Sequence, residues 1–149
     1  MTDTPEPSTL EPEAARRLLA AARAARANAY APYSGFRVGA ALLDAEGRVF
    51  TGVNVENASY GLTTCAERTA VVSAMAAGAR RFRAVAVAGP EDGRGTPPCG
   101  SCRQILHEAT PDMLVVTPGP DGEPLLTPLP ELLPGAFGPE RLTRTTDGR

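Results

Sequence analysis

Two short segments hold residue types that could do chemistry together: Cys65-Ala66-Glu67 and Pro98-Cys99-Gly100-Ser101-Cys102. Between them they contain all three cysteines of the chain. An odd number of thiols cannot pair completely within one chain. In a reducing compartment such thiols are more often structural, metal-binding or catalytic than disulfide-bonded. Zinc binds deprotonated soft donors held close together, and a helix N-terminus favours thiolate over thiol. Cys99 and Cys102 form a Cys-x-x-Cys pair at the start of an expected helix, and Cys65 stands at the start of another. Two neighbouring helix starts can bring three sulfurs around one ion. Three protein ligands leave the fourth tetrahedral position open to water, as in a catalytic rather than a structural zinc site. Glu67 projects from the same helix start as Cys65 and is not needed as a ligand. It can take a proton from water and return it to a substrate, which is typically worth about 10²–10⁴ in rate. Each piece alone has a plainer reading. Cys-x-x-Cys can be a redox pair, a single cysteine a small core residue, and a glutamate near a helix start a capping partner. Pro98 before the pair and Arg103-Gln104 after it do not resemble a redox motif. The specific signal is the combination, in this order and spacing.

The elements that must position these residues alternate along the chain. Residues 11–28 are dense in Ala, Leu and Arg, with Leu18, Leu19, Ala22 and Ala25/Ala29 forming an apolar stripe at helical spacing. Tyr30-Ala31-Pro32-Tyr33-Ser34-Gly35 breaks that helix. Residues 37–43 and 48–55 read as two strands joined by a turn at Asp44-Ala45-Glu46-Gly47. A polar loop over 57–64 leads to a second helix over 65–79, ended by Gly78. Residues 84–88 form a buried-type strand, and a Gly- and Pro-rich loop over 89–98 leads to a third helix over 100–109. Strands are expected over 113–117 and 125–127, with a turn at Pro120-Asp121-Gly122 between them. Proline density after Thr127 leaves room only for short helical turns over 131–133 and 139–142. The pattern predicts an α/β fold, a three-layer α/β/α sandwich around a mixed five-stranded sheet. It predicts one domain over 11–142 with flexible tails at 1–10 and 143–149.

Composition narrows the function classes. A chain of 149 residues suits one domain that needs no disulfides, and 42% hydrophobic with 21% charged residues is ordinary for a globular protein. All 15 basic residues are arginine, which removes Schiff-base chemistry and a lysine general base. The net charge is −2 and no basic run stands out, so the electropositive footprint of a polynucleotide binder is missing. No apolar run approaches the roughly 18–20 residues of a membrane span, and no charged-then-apolar signal segment opens the chain. A cytoplasmic protein without a membrane or nucleic-acid partner is expected.

The order Cys-x-Glu followed by Pro-Cys-x-x-Cys is an all-cysteine form of the zinc deaminase pattern. From Tyr30 to Leu142 the chain resembles the small homotetrameric cytidine deaminases. The matching segments are Tyr30-Ala-Pro-Tyr-Ser34, Phe36 with Val38-Gly-Ala-Ala41, and Gly52-Val-Asn-Val-Glu-Asn-Ala-Ser-Tyr60. Cys65-Ala-Glu-Arg-Thr-Ala70, residues 98–104 and Glu131-Leu-Leu-Pro-Gly-Ala-Phe137 complete the match. The resemblance implies a single zinc per chain held by Cys65, Cys99 and Cys102, with Glu67 as proton shuttle. Metal-activated water would attack C4 of cytidine or 2′-deoxycytidine, and Glu67 would protonate N3 and then the departing ammonia. Arg68 would hydrogen-bond the ligand sulfurs and offset their charge; an ordinary surface salt bridge is its alternative. Phe36 would lie against the base, with ordinary core packing as its alternative, and Ala66 would also bind the substrate. Asn54 and Glu56, which alternate along a strand and so share one face, would bind the ribose hydroxyls as an exposed polar pair. Tyr60 and Phe137 would reach the site of a neighbouring subunit, implying a homotetramer with dihedral symmetry and shared active sites. His107 reads as an ordinary helix histidine. Two positions depart from the family pattern: Ser101, where alanine is common, and Gly35, where a larger residue is common and whose absence loosens the loop over the base.

Rival readings differ in substrate or in class. A related deaminase could act on a nucleoside antibiotic, free cytosine or a polynucleotide; Asn54, Glu56 and Asn57-Ala58-Ser59-Tyr60 favour a free nucleoside. A structural zinc module would need a fourth ligand to close its site, and no fourth cysteine exists.

Overall fold

The computed structural model describes residues 9–142; of the tails expected at 1–10 and 143–149, residues 1–8 and 143–149 lie outside the described residues, while Leu10 is buried against the core rather than part of a flexible tail. Helix α1 covers Pro12–Ala25, with proline in its first turn, where the missing N–H costs nothing. A 3₁₀ turn over Arg26–Asn28 completes the expected helical span. Strands β1 (Gly39–Asp44) and β2 (Val49–Val53) form a hairpin closed by Gly47 at φ +88°. The buried Asp44 carboxylate anchors that turn, accepting the N–H of Glu46 and of Arg48 and the Arg48 guanidinium. Helix α2 (Ala66–Ala76) ends short of residue 79, with Gly78 at φ +93° turning the chain away. Strand β3 (Phe82–Ala88) is followed by α3 (Gly100–Ala109), then β4 (Leu114–Pro118), β5 (Pro124–Pro128) and the one-turn helix α4 (Leu129–Leu132). A last 3₁₀ turn covers Pro139–Arg141. Helix α4 begins two residues before the expected turn at 131–133.

The sheet runs β2-β1-β3-β4-β5. Only β3 and β4 are parallel; the other neighbours are antiparallel, so the sheet is mixed, as expected. One correction concerns the strand expected over 48–55, which leaves the ladder at Val53. Val55 bridges instead to Tyr30 and Thr64, and the carbonyl of Asn54 accepts the Tyr30 N–H. That switch of partners carries Asn54 and Glu56 off the sheet.

Strand alternation divides the core into two faces. Ala41 and Leu43 of β1, with Ala84, Ala86 and Ala88 of β3, pack on Leu18, Leu19 and Ala22 of α1; Leu10 is buried in the same cluster. Ala40, Leu42, Val85, Val87 and Val115 face the other way, against Ala66, Ala70 and Ala74 of α2 and Leu106 of α3. The molecule is therefore the three-layer α/β/α sandwich predicted. Leu19, Leu42, Leu106 and Leu129 are almost completely buried, each contributing about 1.5–3 kcal/mol of transfer energy. Glycine lets the layers meet where backbone touches backbone. A Cβ on Gly52 of β2 would lie 2.4 Å from the Ala66 carbonyl and from the Ala70 nitrogen of α2. The first turn of α2 thus rests directly on β2. Among the described residues no helix is long and apolar enough to cross a membrane.

Candidate active site

Cys65 and Cys99 are the N-cap residues of α2 and α3, both with extended backbone and neither using its side chain to cap its helix. Cys102 sits in the first turn of α3 and is fully buried. These two helix starts bring the three sulfurs within 4.8 Å of one another. No fourth histidine, cysteine or carboxylate joins the group among the described residues. Thiolates about 2.3 Å from a shared zinc stand about 3.8 Å apart in a tetrahedron, so the triad fits zinc with one position free. The hydrogen bond from Cys102 pulls the Cys65 thiol down to about 6, against the opposing effect of burial, while the same contact and burial push Cys102 up. Metal binding must displace the remaining protons.

Glu67 lies in the first turn of α2 and is only 4% exposed. Burial raises its carboxyl above the usual range, only partly countered by a hydrogen bond with Cys102. Arg68 is half-buried and forms no salt bridge with a carboxylate among the described residues. Its positive charge instead favours the Cys65 thiolate.

A cleft of about 390 Å³ opens over these groups, and Phe36, Asn54, Cys65, Ala66, Glu67 and Cys99 line it. Its size is in the range of small-molecule sites. Two smaller concavities, of about 250 and 310 Å³, lie between the 89–97 loop and the β4–β5 turn and contain neither a cysteine nor a buried acid.

Other expected residues stand elsewhere. The reading of Asn54 and Glu56 as an exposed polar pair on a strand face is corrected: Asn54 is 7% exposed, and both side chains are engaged by the loop that carries Phe36. Asn54 donates to the Phe36 carbonyl at 2.7 Å and accepts the Val38 N–H at 2.8 Å. Glu56 lies outside the cleft lining and accepts the N–H groups of Tyr33 and Ser34 and the Ser34 hydroxyl. The Ser34 hydroxyl is the main reason the Glu56 carboxyl is held below its ordinary range. Tyr60 is 75% exposed and meets Tyr33 edge-on, ring centres 5.8 Å apart. Phe137 is 60% exposed, and its carbonyl accepts the Gln104 side chain. Neither lines the cleft of its own chain. His107 is half-buried on α3, apart from the sulfur cluster.

Sequence reasoning missed part of the wall: Val38, Thr63 and the Gly95-Thr96-Pro97 stretch. It also missed Arg103, which donates to the Pro98 carbonyl and to the Leu132 carbonyl, both at 2.8 Å. Arg103 thereby ties the bend before Cys99 to α4. A cation in the first turn of a helix opposes the helix dipole, and that was the signal available.

Residues 12–117 match the family described as the cytidine and deoxycytidylate deaminase zinc-binding region. The chain therefore belongs to that family of zinc-dependent deaminases, and zinc is the metal its thiol triad is suited to hold. Over 117 residues it is 50% identical to a cytidine deaminase of Halalkalibacterium halodurans, spanning 78% of this chain and 88% of that protein. Its structure is similar to the crystal structure of a cytidine deaminase from Burkholderia pseudomallei, with a TM-score of 0.77 and 53% identity over 82% of this chain and 98% of that one. Likewise, the Mycobacterium tuberculosis cytidine deaminase matches with a TM-score of 0.73 and 45% identity, over 83% and 96% of the two chains.

Proposed function

We propose that this chain is a cytidine deaminase that hydrolyses the 4-amino group of cytidine and 2′-deoxycytidine, giving uridine or 2′-deoxyuridine and ammonia. The observation that carries the reading is a buried Glu67, its carboxyl held above the usual range by that burial, beside three convergent thiols under a nucleoside-sized cleft. Cys65, Cys99 and Cys102 hold the zinc, which when bound supplies a Lewis acid that makes water nucleophilic at neutral pH. Glu67 takes the proton released as the water oxygen bonds to C4 and delivers it to N3. It then moves the remaining hydroxyl proton to N4 as the C4–N4 bond breaks, so ammonia leaves and the carboxylate is regenerated. A carboxyl whose affinity for a proton is raised by burial suits this alternating duty.

Phe36 and Ala66 confine the base. Asn54 retains a second amide hydrogen and a second lone pair for the sugar hydroxyls, and Glu56 supports the same side. Arg68 offsets the charge of three thiolates. Tyr60 and Phe137 complete the site of a neighbouring copy in a homotetramer, which accords with the exposure of these large rings. Residues 11–142 form one deaminase domain that works in the cytoplasm on free nucleosides and water, with no nucleic-acid or membrane partner.

Ultraviolet assays on cytidine, deoxycytidine, free cytosine and a cytosine-containing oligonucleotide test this reading. Turnover of the two nucleosides alone is expected. Turnover confined to the free base or to the oligonucleotide would contradict it.

A further inference from the structure

Phe36 is 46% exposed and stands on a loop outside the sheet, before β1 begins. A ring on such a loop keeps its place in a cleft only if the main chain around it is fixed. Two side chains grip the Phe36 residue directly. Asn54 donates to its carbonyl at 2.7 Å, and the Ser34 hydroxyl accepts its N–H at 2.9 Å. The Ser34 hydroxyl in turn donates to Glu56 Oε2 at 2.5 Å, which points its lone pair at the Phe36 N–H. Glu56 Oε1 accepts the backbone N–H groups of Tyr33 and Ser34 at 3.0 and 3.1 Å. Glu56 makes no hydrogen bond of its own to Phe36 among the described residues, so its hold on that residue passes through Ser34.

Gly35, between the two anchors, has φ +68°, and a Cβ there would meet nothing within 4 Å. No side chain at that position stiffens the loop; the Gly35 N–H is held by the Ala31 carbonyl and the Phe36 carbonyl by Asn54, while the Phe36 N–H is held by the Ser34 bridge. Ser34 and Phe36 lie on an exposed stretch and Glu56 is half-buried, so water can reach the groups left behind if the hydroxyl is removed. Loss of the hydroxyl therefore frees the ring more than it unfolds the chain.

We propose that Ser34 is a positioning residue for substrate binding: its hydroxyl, braced by Glu56, holds the Phe36 backbone so that the ring stays against the base. The proposal rests on the role given to Phe36 above. A contact made equally in the ground and transition states affects KM and leaves kcat alone.

The test is steady-state deamination of cytidine by the zinc-loaded wild type, Ser34→Ala, Ser34→Thr, Phe36→Ala and the Ser34→Ala/Phe36→Ala double variant. Ser34→Ala is expected to raise KM about tenfold, the effect of one net hydrogen bond, with kcat within about twofold. Ser34→Thr, which keeps the hydroxyl, restores KM. In the Phe36→Ala background Ser34→Ala adds nothing, because the ring it positions is gone. A merely structural role would add its effect in both backgrounds, and that result overturns the proposal, as does an unchanged KM in Ser34→Ala. A raised KM in Phe36→Ala with a normal one in Ser34→Ala refutes the Ser34 role and leaves the Phe36 role standing. An unchanged KM in Phe36→Ala refutes both. A wild type that does not turn over cytidine would refute the proposed function itself.

Discussion

Cys99 is an N-cap residue whose sulfur makes no capping bond, and Cys102 lies a turn further into the same helix. Side chains so placed contribute little to the helix, and their convergence with Cys65 makes sense as a metal site. Replacing Cys99 with Ala should therefore spare the fold of the sheet and remove the metal. Elemental analysis of the purified variant should find little zinc, where the wild type carries about one ion per chain. Stoichiometric zinc in the variant would refute the ligand assignment. At this scale the sequence is most legible where chemistry demands rare residues at fixed spacing: three cysteines and Glu67 stand out in a chain with so few thiols. Ser34, Thr63 and Thr96 do not stand out. Hydroxyl residues are common in loops, and what distinguishes these three is the folded path of the chain around them.

Element by element, the periodic segments are readable because burial imposes their period. The α1 stripe and the alternating faces of β1 and β3 all follow from one-sided or two-sided packing. The end of β2 is not readable from its residues. Val53, Asn54, Val55 and Glu56 continue a strand pattern, and only the competing bridges from Tyr30 and Thr64 pull Val55 out of the ladder. Gly52 is the point where the element scale reaches the site. A Cβ there would press on backbone atoms of the first α2 turn, which carries Glu67 and follows Cys65. Neither partner is a flexible side chain that can move aside. Gly52→Ala should lower the melting temperature and reduce zinc retention together, whereas Gly61→Ala, with open space around its Cβ, should change neither. Normal stability and zinc content in Gly52→Ala would show that α2 is not seated on β2 in this way.

Across the whole molecule the layer order follows from the alternation of helices and strands, and the assembly does not. Exposed apolar residues such as Tyr60, Leu62 and Phe137 carry no mark in the sequence that separates an interface from a core position. Phe137 lies in the segment after α4 and does not line the cleft of its own chain. If it serves a neighbouring site, Phe137→Ala should weaken both assembly, seen by analytical ultracentrifugation, and cytidine turnover. Unchanged mass and unchanged rate would rule out the shared site. The central claim is that the fold exists to set Glu67 beside the metal triad as the proton carrier of hydrolytic deamination. Its most direct test is cytidine turnover by Glu67→Gln at a zinc content matched to the wild type. The account predicts a variant that keeps its metal and its melting transition but loses at least about 10²–10⁴ in kcat. A variant that forms uridine at the wild-type rate would contradict it.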